Sequence, residues 1–284
     1  MLSYLATKNP HPRDKHIHFD EGPHKYTITG INPKTDDEFT SVTTLVHEHF
    51  ENFNAKNIIA GMMRSKKWND PVANFKYYGK TAEEIEKMWS TAGKDAAAKG
   101  TAMHHKIECF YNQSQPAAAA AAADTDAPEI QQFMKFHEDF SASLKPYRTE
   151  WTVFHEEARI AGSIDMVYEL IDPATAATAA AAPLVIYDWK RCREITKTHP
   201  LFRFATHPAI EHIPDSNYWH YALQLNIYKY ILQTKYDKTI ADLYLVVLHP
   251  DAKNYNRIKL PDLQSEIREL FEERIQRFAP AHTK

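Results

Sequence analysis

Glycine is scarce in this chain. There are seven among 284 residues, at positions 22, 30, 61, 79, 93, 100 and 162. Average usage of roughly 7% would supply about 20. No two glycines are spaced G-x-G or G-x-x-x-x-G. That excludes the dinucleotide fingerprint and the P-loop, which need glycine to bring backbone N–H groups against phosphate. No nucleotide cofactor is expected, and any phosphate chemistry must rest on side chains or a metal.

Cysteine is scarcer still, with only Cys109 and Cys192. Two thiols cannot build a disulfide framework, a Cys-rich zinc site or a four-Cys iron–sulfur cluster. A reducing, intracellular setting (cytoplasm or nucleus) is the expectation. The first residues lack the apolar core of a secretory signal, and no run approaches 18 apolar residues. Neither secretion nor a membrane span is expected. The net charge of -3 leaves no global basic field. It still permits an enzyme with a local basic groove.

What is present fits a soluble globular protein: 43% hydrophobic and 25% charged residues. Residues 16–29 read as a hairpin around Glu21-Gly22-Pro23. Ser41 caps a helix, a second helix covers 53–65, and 66–80 reads as a loop with a short helix. Thr81 and Glu84 form a capping-box pattern, and a further helix runs through 94–112. Two alanine-rich stretches, 117–123 and 173–183, read as insertions or linkers, with a helix at 127–144 between them. Strands follow at 149–159, 160–170 and 184–190, then a helix at 216–233, a strand at 240–248 and a helix from Pro261. This order predicts a mixed α/β (α+β) fold with a central sheet flanked by helices. Residues 1–145 would supply the hairpin and helical part, including the His104 helix. Residues 146–284 would supply the core with the metal site, the two forming one integrated domain.

The chemistry concentrates in Gly162-Ser163-Ile164-Asp165 and Asp188-Trp189-Lys190. Asp188 and Lys190, two apart in a strand, share one face. If that strand pairs with the one bearing Asp165, two carboxylates and an ammonium converge. Such a cluster suits Mg²⁺, which takes hard oxygens from one or two carboxylates and substrate phosphate. On a helix, His104 and Glu108 are one turn apart; Tyr221, Gln224 and Tyr228 share a face of another. Glu108 reads as a helix-surface or outer residue, and Glu150 as a residue able to reach the metal's outer shell. Sixteen histidines raise zinc, but H-E-x-x-H is absent. Two basic, aromatic-rich stretches suit single strands: 56–80, with Lys66, Lys67 and Trp68, and 190–204, with Arg191 and Arg193. Tyr221 is a further candidate for base contact.

The order G-T-x-x-H-x-x-I-E, G-x-x-D, D-x-K and Y-x-x-Q-L-x-x-Y across 100–228 resembles the PD-(D/E)XK nuclease superfamily in its RecB-type exonuclease branch. That branch includes CRISPR adaptation nucleases and the mitochondrial genome maintenance exonuclease. The resemblance implies a restriction-endonuclease-like core with a helical N-terminal part. It implies Mg²⁺ or Mn²⁺ held by His104, Asp165, Asp188 and the carbonyl of Trp189. Asp165, Asp188 and Lys190 would be catalytic, with Gln224 in support. Arg191 departs from the usual Thr or Ser after the lysine, and no iron–sulfur cluster is expected. The implied activity is DNA exonuclease in repair, recombination or genome processing, acting on single strands or duplex ends. Replication or recombination proteins are candidate partners, and a viral or phage origin is compatible. A structure-specific endonuclease, an RNA-directed nuclease and a non-catalytic nucleic-acid-binding scaffold remain the alternatives.

Overall fold

The computed structural model describes residues 3–31, 39–112, 127–171 and 182–279. The alanine-rich stretches lie outside the described residues, apart from positions 182 and 183. Two compact units divide the chain: 1–50 with 103–284, and 51–102.

The larger unit is built on a six-stranded mixed sheet. Its strands are β3 (Thr40–Ser41), β4 (Leu144–His155), β5 (Ile160–Leu170), β6 (Leu184–Lys190), β7 (Ile240–Val247) and β8 (Asn256–Lys259). β5 is antiparallel to β4 and to β6, β7 is parallel to β6, and β8 is antiparallel to β7. The short β3 runs parallel to the start of β5. A separate hairpin joins β1 (Ile17–Asp20) and β2 (Lys25–Ile28), as the sequence indicates.

Helices cover both faces because the strands are apolar on both. β6 shows the division: Leu184 and Ile186 belong to one buried cluster, while Val185, Tyr187 and Trp189 belong to the other. The first cluster is closed by α2 (Val42–Glu48), α6 (Asn217–Lys235) and α7 (Gln264–Phe278). The second is closed by α1 (Tyr4–Lys8), the end of α4 (Ala82–Asn112) and α5 (Pro128–Phe140). This is the expected mixed α/β arrangement of a central sheet flanked by helices.

Caps read from the sequence form. The Ser41 hydroxyl accepts from the Thr44 N–H at 3.0 Å. Thr81 and Glu84 close a reciprocal box, at 2.7 and 3.2 Å. Several boundaries differ, among them the following. The two helices expected between 81 and 112 are one helix of 31 residues. Gly93 inside it weakens but does not break it, a cost of about 1 kcal/mol against many good helix formers. α5 ends at Phe140, so β4 starts at Leu144 instead of 149. Residues 66–80 are a run of turns without a helix.

The unit 51–102 holds α3 (Ala55–Met63) and most of α4. Ile59 and Ile85 are its buried residues, and the Trp89 indole N–H donates to the Tyr77 hydroxyl at 2.9 Å. No described helix is long and apolar enough to cross a membrane.

Candidate metal centre

The site forms where the sheet is pulled open. β4 lies along one edge of β5 from Ile160 to Leu170. On the opposite edge β3 pairs with Ile160 and Ala161, and β6 only with Met166 to Glu169. Residues 162–165 therefore have no strand on that side. Beyond the Met166–Tyr187 pair the ladder stops, and the Asp165 side chain bridges the gap. Its Oδ2 accepts the Trp189 N–H at 3.0 Å, a bond a backbone carbonyl would otherwise make.

β4 is distorted at the same level. Thr149 pairs with Met166 and Trp151 with Ile164, so Glu150 stands opposite Asp165. Glu150 has a φ of 43°, a left-handed conformation that is strained for a residue with a long side chain. Ile164 and Met166, two apart, fall in opposite clusters, so the pleat's alternation breaks at Asp165. Two facing carboxylates at a kink are costly without a cation.

His104 comes to this point from α4. Its Nε2 lies 2.7 Å from the Trp189 carbonyl. A carbonyl only accepts, so Nε2 carries a proton and donates it. The other nitrogen, Nδ1, faces Asp165 Oδ2 at 3.5 Å. In a neutral ring Nδ1 is a lone pair, and two acceptors face each other with nothing to share. Either a second proton or a cation belongs between them. Ligand atoms of His104, Glu150 and Asp165 all lie within 4.8 Å of one another, close enough to hold one metal ion. Among the described residues no other group of three or more His, Cys, Asp or Glu converges in this way.

Beside this trio sit Asp188 and Lys190. Lys190 Nζ is 2.6 Å from Asp188 Oδ2. That buried oxygen accepts from the ammonium, a short charge-assisted contact. Lys190 Nζ also rests over the Tyr221 ring, 4.6 Å from its centre.

The electrostatics follow from burial among like charges. Burial, then Asp165, push Glu150 up to about 8, against a hydrogen bond from the Ser163 hydroxyl at 2.9 Å. Burial, then Asp165, push Asp188 up to about 6, against the pull of Lys190 and His104. Burial disfavours the Lys190 ammonium, but Asp188 and Asp165 outweigh it and hold the lysine protonated above its ordinary range. These carboxylates therefore hold protons at a pH where free carboxylates do not, as groups waiting for a cation do.

Gly162 supports the site from behind. A Cβ there would meet the Tyr228 ring at 2.7 Å and its hydroxyl at 2.8 Å. Tyr228 is fully buried, its hydroxyl is hydrogen-bonded to the Gln224 side chain, and burial raises its pKa well above the ordinary value. The missing side chain at 162 thus lets α6 seat Gln224 against the sheet. Gly100, by contrast, has open space around it.

The structure brings His104, Asp165, Asp188, Trp189, Lys190, Tyr221 and Gln224 into one region. It adds Glu150 to the ligand cluster, where the sequence places it in an outer shell. The strand register sets Glu150 opposite Asp165, and its backbone there is left-handed, with a φ of 43°. Glu108 is half-buried and lies 3.6 Å from the exposed His105. Arg191 is committed elsewhere, its Nε bonded to Glu129 at 2.6 Å. Arg193 is exposed, 4.0 Å from Asp251. Lys66 and Lys67 are exposed and Trp68 is half-buried, all within the unit 51–102.

The donor set fits a divalent cation. It offers one imidazole and two clustered carboxylates, with the Asp188–Lys190 pair beside them. Oxygen-rich sites of this kind suit Mg²⁺ or Mn²⁺, and the imidazole is better suited to Mn²⁺.

Comparison with known proteins adds little. No family model and no curated protein matches the chain. A solved structure described as "Crystal structure of SSO0001" is similar at 14% identity with a TM-score of 0.29, covering 89% of this chain and 82% of that one. Overlap at that level carries no argument about fold or activity.

Proposed function

We propose that this chain is a divalent-metal-dependent nuclease of the PD-(D/E)XK type that hydrolyses phosphodiester bonds in DNA from an end. The observation that carries the reading is the convergence of His104, Glu150 and Asp165 within 4.8 Å, next to the Asp188–Lys190 pair. The order of motifs across 100–228 supports the nuclease class, and the restriction-endonuclease-like core belongs to the same proposal.

His104 Nδ1, Asp165 and Glu150 would hold the metal, with Asp188 and the Trp189 carbonyl as further oxygens at hand. The bound ion supplies Lewis acidity and a water of lowered pKa. Lys190 acts as a cation. Held protonated, its Nζ donates to the attacking water or to a phosphate oxygen and offsets charge there; it is not the base. Asp188 and the Tyr221 ring fix that ammonium. Gln224, bonded to Tyr228, presents an amide toward the same region.

The test uses linear single- and double-stranded DNA, circular DNA and RNA, each with Mg²⁺, Mn²⁺ or chelator. Linear DNA is expected to be degraded only with metal, and circles to survive. Lys190→Ala and Asp165→Asn should each lower the rate by about 10³-fold or more, the scale of several kcal/mol of lost charge stabilisation. Full activity in both folded variants overturns the proposal. Cut circles make the enzyme an endonuclease, and preferential loss of RNA redirects the substrate. Metal-independent binding without cleavage makes it a scaffold.

A further inference from the structure

The face of the sheet that carries Asp188 and Lys190 continues across two more strands, and a cavity opens there. Lys190 pairs with Val247, and Val247 with Asn256. One row inward, Asp188 pairs with Leu245, and Leu245 with Ile258. Paired residues in neighbouring strands point to the same side. Val247, Asn256 and Ile258 therefore extend the surface on which Lys190 stands, each strand about 4.8 Å from the next. They line a cavity of about 350 Å³, at the small end of ligand sites.

Its walls are of two kinds. Ile195, Val247 and Ile258 give it apolar surface, while Asn254 and Asn256 bring side-chain amides to it. Neither amide is engaged by another described residue. Arg193 and Lys197 stand among the lining residues as cations, against one acid, Glu194. The cavity lies at the carboxyl ends of the parallel strands β6 and β7, where ligands of open α/β sheets collect.

Apolar surface, amides able to donate and accept at a ring edge, and cations for flanking phosphates match one chemical class. We infer that this cavity is a nucleobase subsite, holding the base of the nucleotide whose phosphate lies at Asp188 and Lys190. The inference rests on the nuclease reading and deepens it: the enzyme grips an unstacked base, and so takes its substrate as single strand or frayed end. Asn254 and Asn256 read the edge of the base, and Ile195 and Ile258 pack against its faces.

The experiment measures binding with Mg²⁺ present, using ligands that carry no phosphodiester bond to cleave. Adenosine 5′-monophosphate and ribose 5-phosphate are titrated into the wild type, into Ile258→Trp, which fills the cavity, and into the exposed double variant Asn254→Leu/Asn256→Leu. The nucleotide should bind about tenfold tighter than the sugar phosphate, equivalent to about 1.4 kcal/mol. Either substitution should remove most of that advantage and leave sugar phosphate binding unchanged. In parallel, an oligonucleotide with an abasic terminal residue should be cleaved by the wild type as slowly as the intact one is by Ile258→Trp. Equal or undetectable binding of the two ligands to the wild type, or an advantage untouched by both variants, overturns the subsite. Failure of the nuclease reading shows separately, as a Lys190→Ala protein that still cleaves, or a wild type that never does, with the base preference intact.

Discussion

Two groups of carboxylates meet strand β4 within a few residues of each other, and they are built on opposite rules. At one, Asp14 accepts from Arg148 Nη1 at 2.8 Å and from the Trp151 indole at 3.0 Å. Nearby, Arg13 forks onto Glu156 and stacks on Phe154. Burial works against the Glu156 carboxylate, yet the Arg13 bonds pull its pKa below the ordinary value. At the other, Glu150, Asp165 and Asp188 face one another with one lysine among them, and Glu150 and Asp188 are pushed up. The same strand thus spends its cations on anchoring the N-terminal segment and withholds them from the sheet's opening. Matched charges fix the fold there, while unmatched ones store a demand for a cation here.

The largest effect should come from breaking the matched group. Arg148→Met leaves the half-buried Asp14 without its cation, held only by the Trp151 indole and the His11 N–H. Removing one partner of a buried pair costs about 3–5 kcal/mol. The midpoint of denaturant unfolding should fall accordingly, with or without metal. A loss below about 1 kcal/mol would mean the pair is merely tolerated.

Glu150→Gln should act in the reverse sense. It removes one of two facing carboxylates and keeps the shape. In chelator at pH 8 the variant should melt about 2–4 °C higher than the wild type, the shift expected for roughly 1 kcal/mol in a chain of this size. Its Mn²⁺ affinity, read by calorimetry, should drop about 10–100-fold. If it melts lower in chelator, Glu150 is part of the scaffold and the contrast between the two groups fails.

This contrast also explains what the sequence tells and what it hides. The strands β4 to β7 are legible because buried strands are continuous apolar runs, as in Leu184 to Tyr187. Asp165, Asp188 and Lys190 are legible because charge inside such runs needs a reason. β8, Asn256–Lys259, is not, since a short polar edge strand has no periodicity to show. Glu150 is legible only as an outer-shell candidate, because the strand pairing and the backbone torsion that bring it to Asp165 leave no mark in a single sequence. The bond from Arg191 to Glu129, 62 residues earlier, is visible only in three dimensions.

The subtlest consequence is in the pH response. A carboxylate whose pKa the fold raises binds its proton more tightly folded than unfolded. Its protonation favours the fold, fully so below the unfolded value of about 4.5, and this contribution is lost as pH rises through the folded value. Glu150 at about 8 and Asp188 at about 6 therefore weaken the metal-free protein between roughly pH 5 and 8. Glu156, held low by Arg13, behaves oppositely: its contribution is present above the unfolded value and is lost as pH falls through the folded one. In chelator the melting temperature should rise as pH is lowered from 8 to about 5, then fall in more acid solution. Because the cation must displace the Glu150 proton, Mn²⁺ affinity should rise with pH up to about 8, by at most tenfold per unit for each proton released. In Glu150→Gln both slopes should shrink above pH 6, leaving only what Asp188 contributes. An unchanged slope in that variant would place the stored charge on other groups, and the opening of the sheet would lose its link to metal binding.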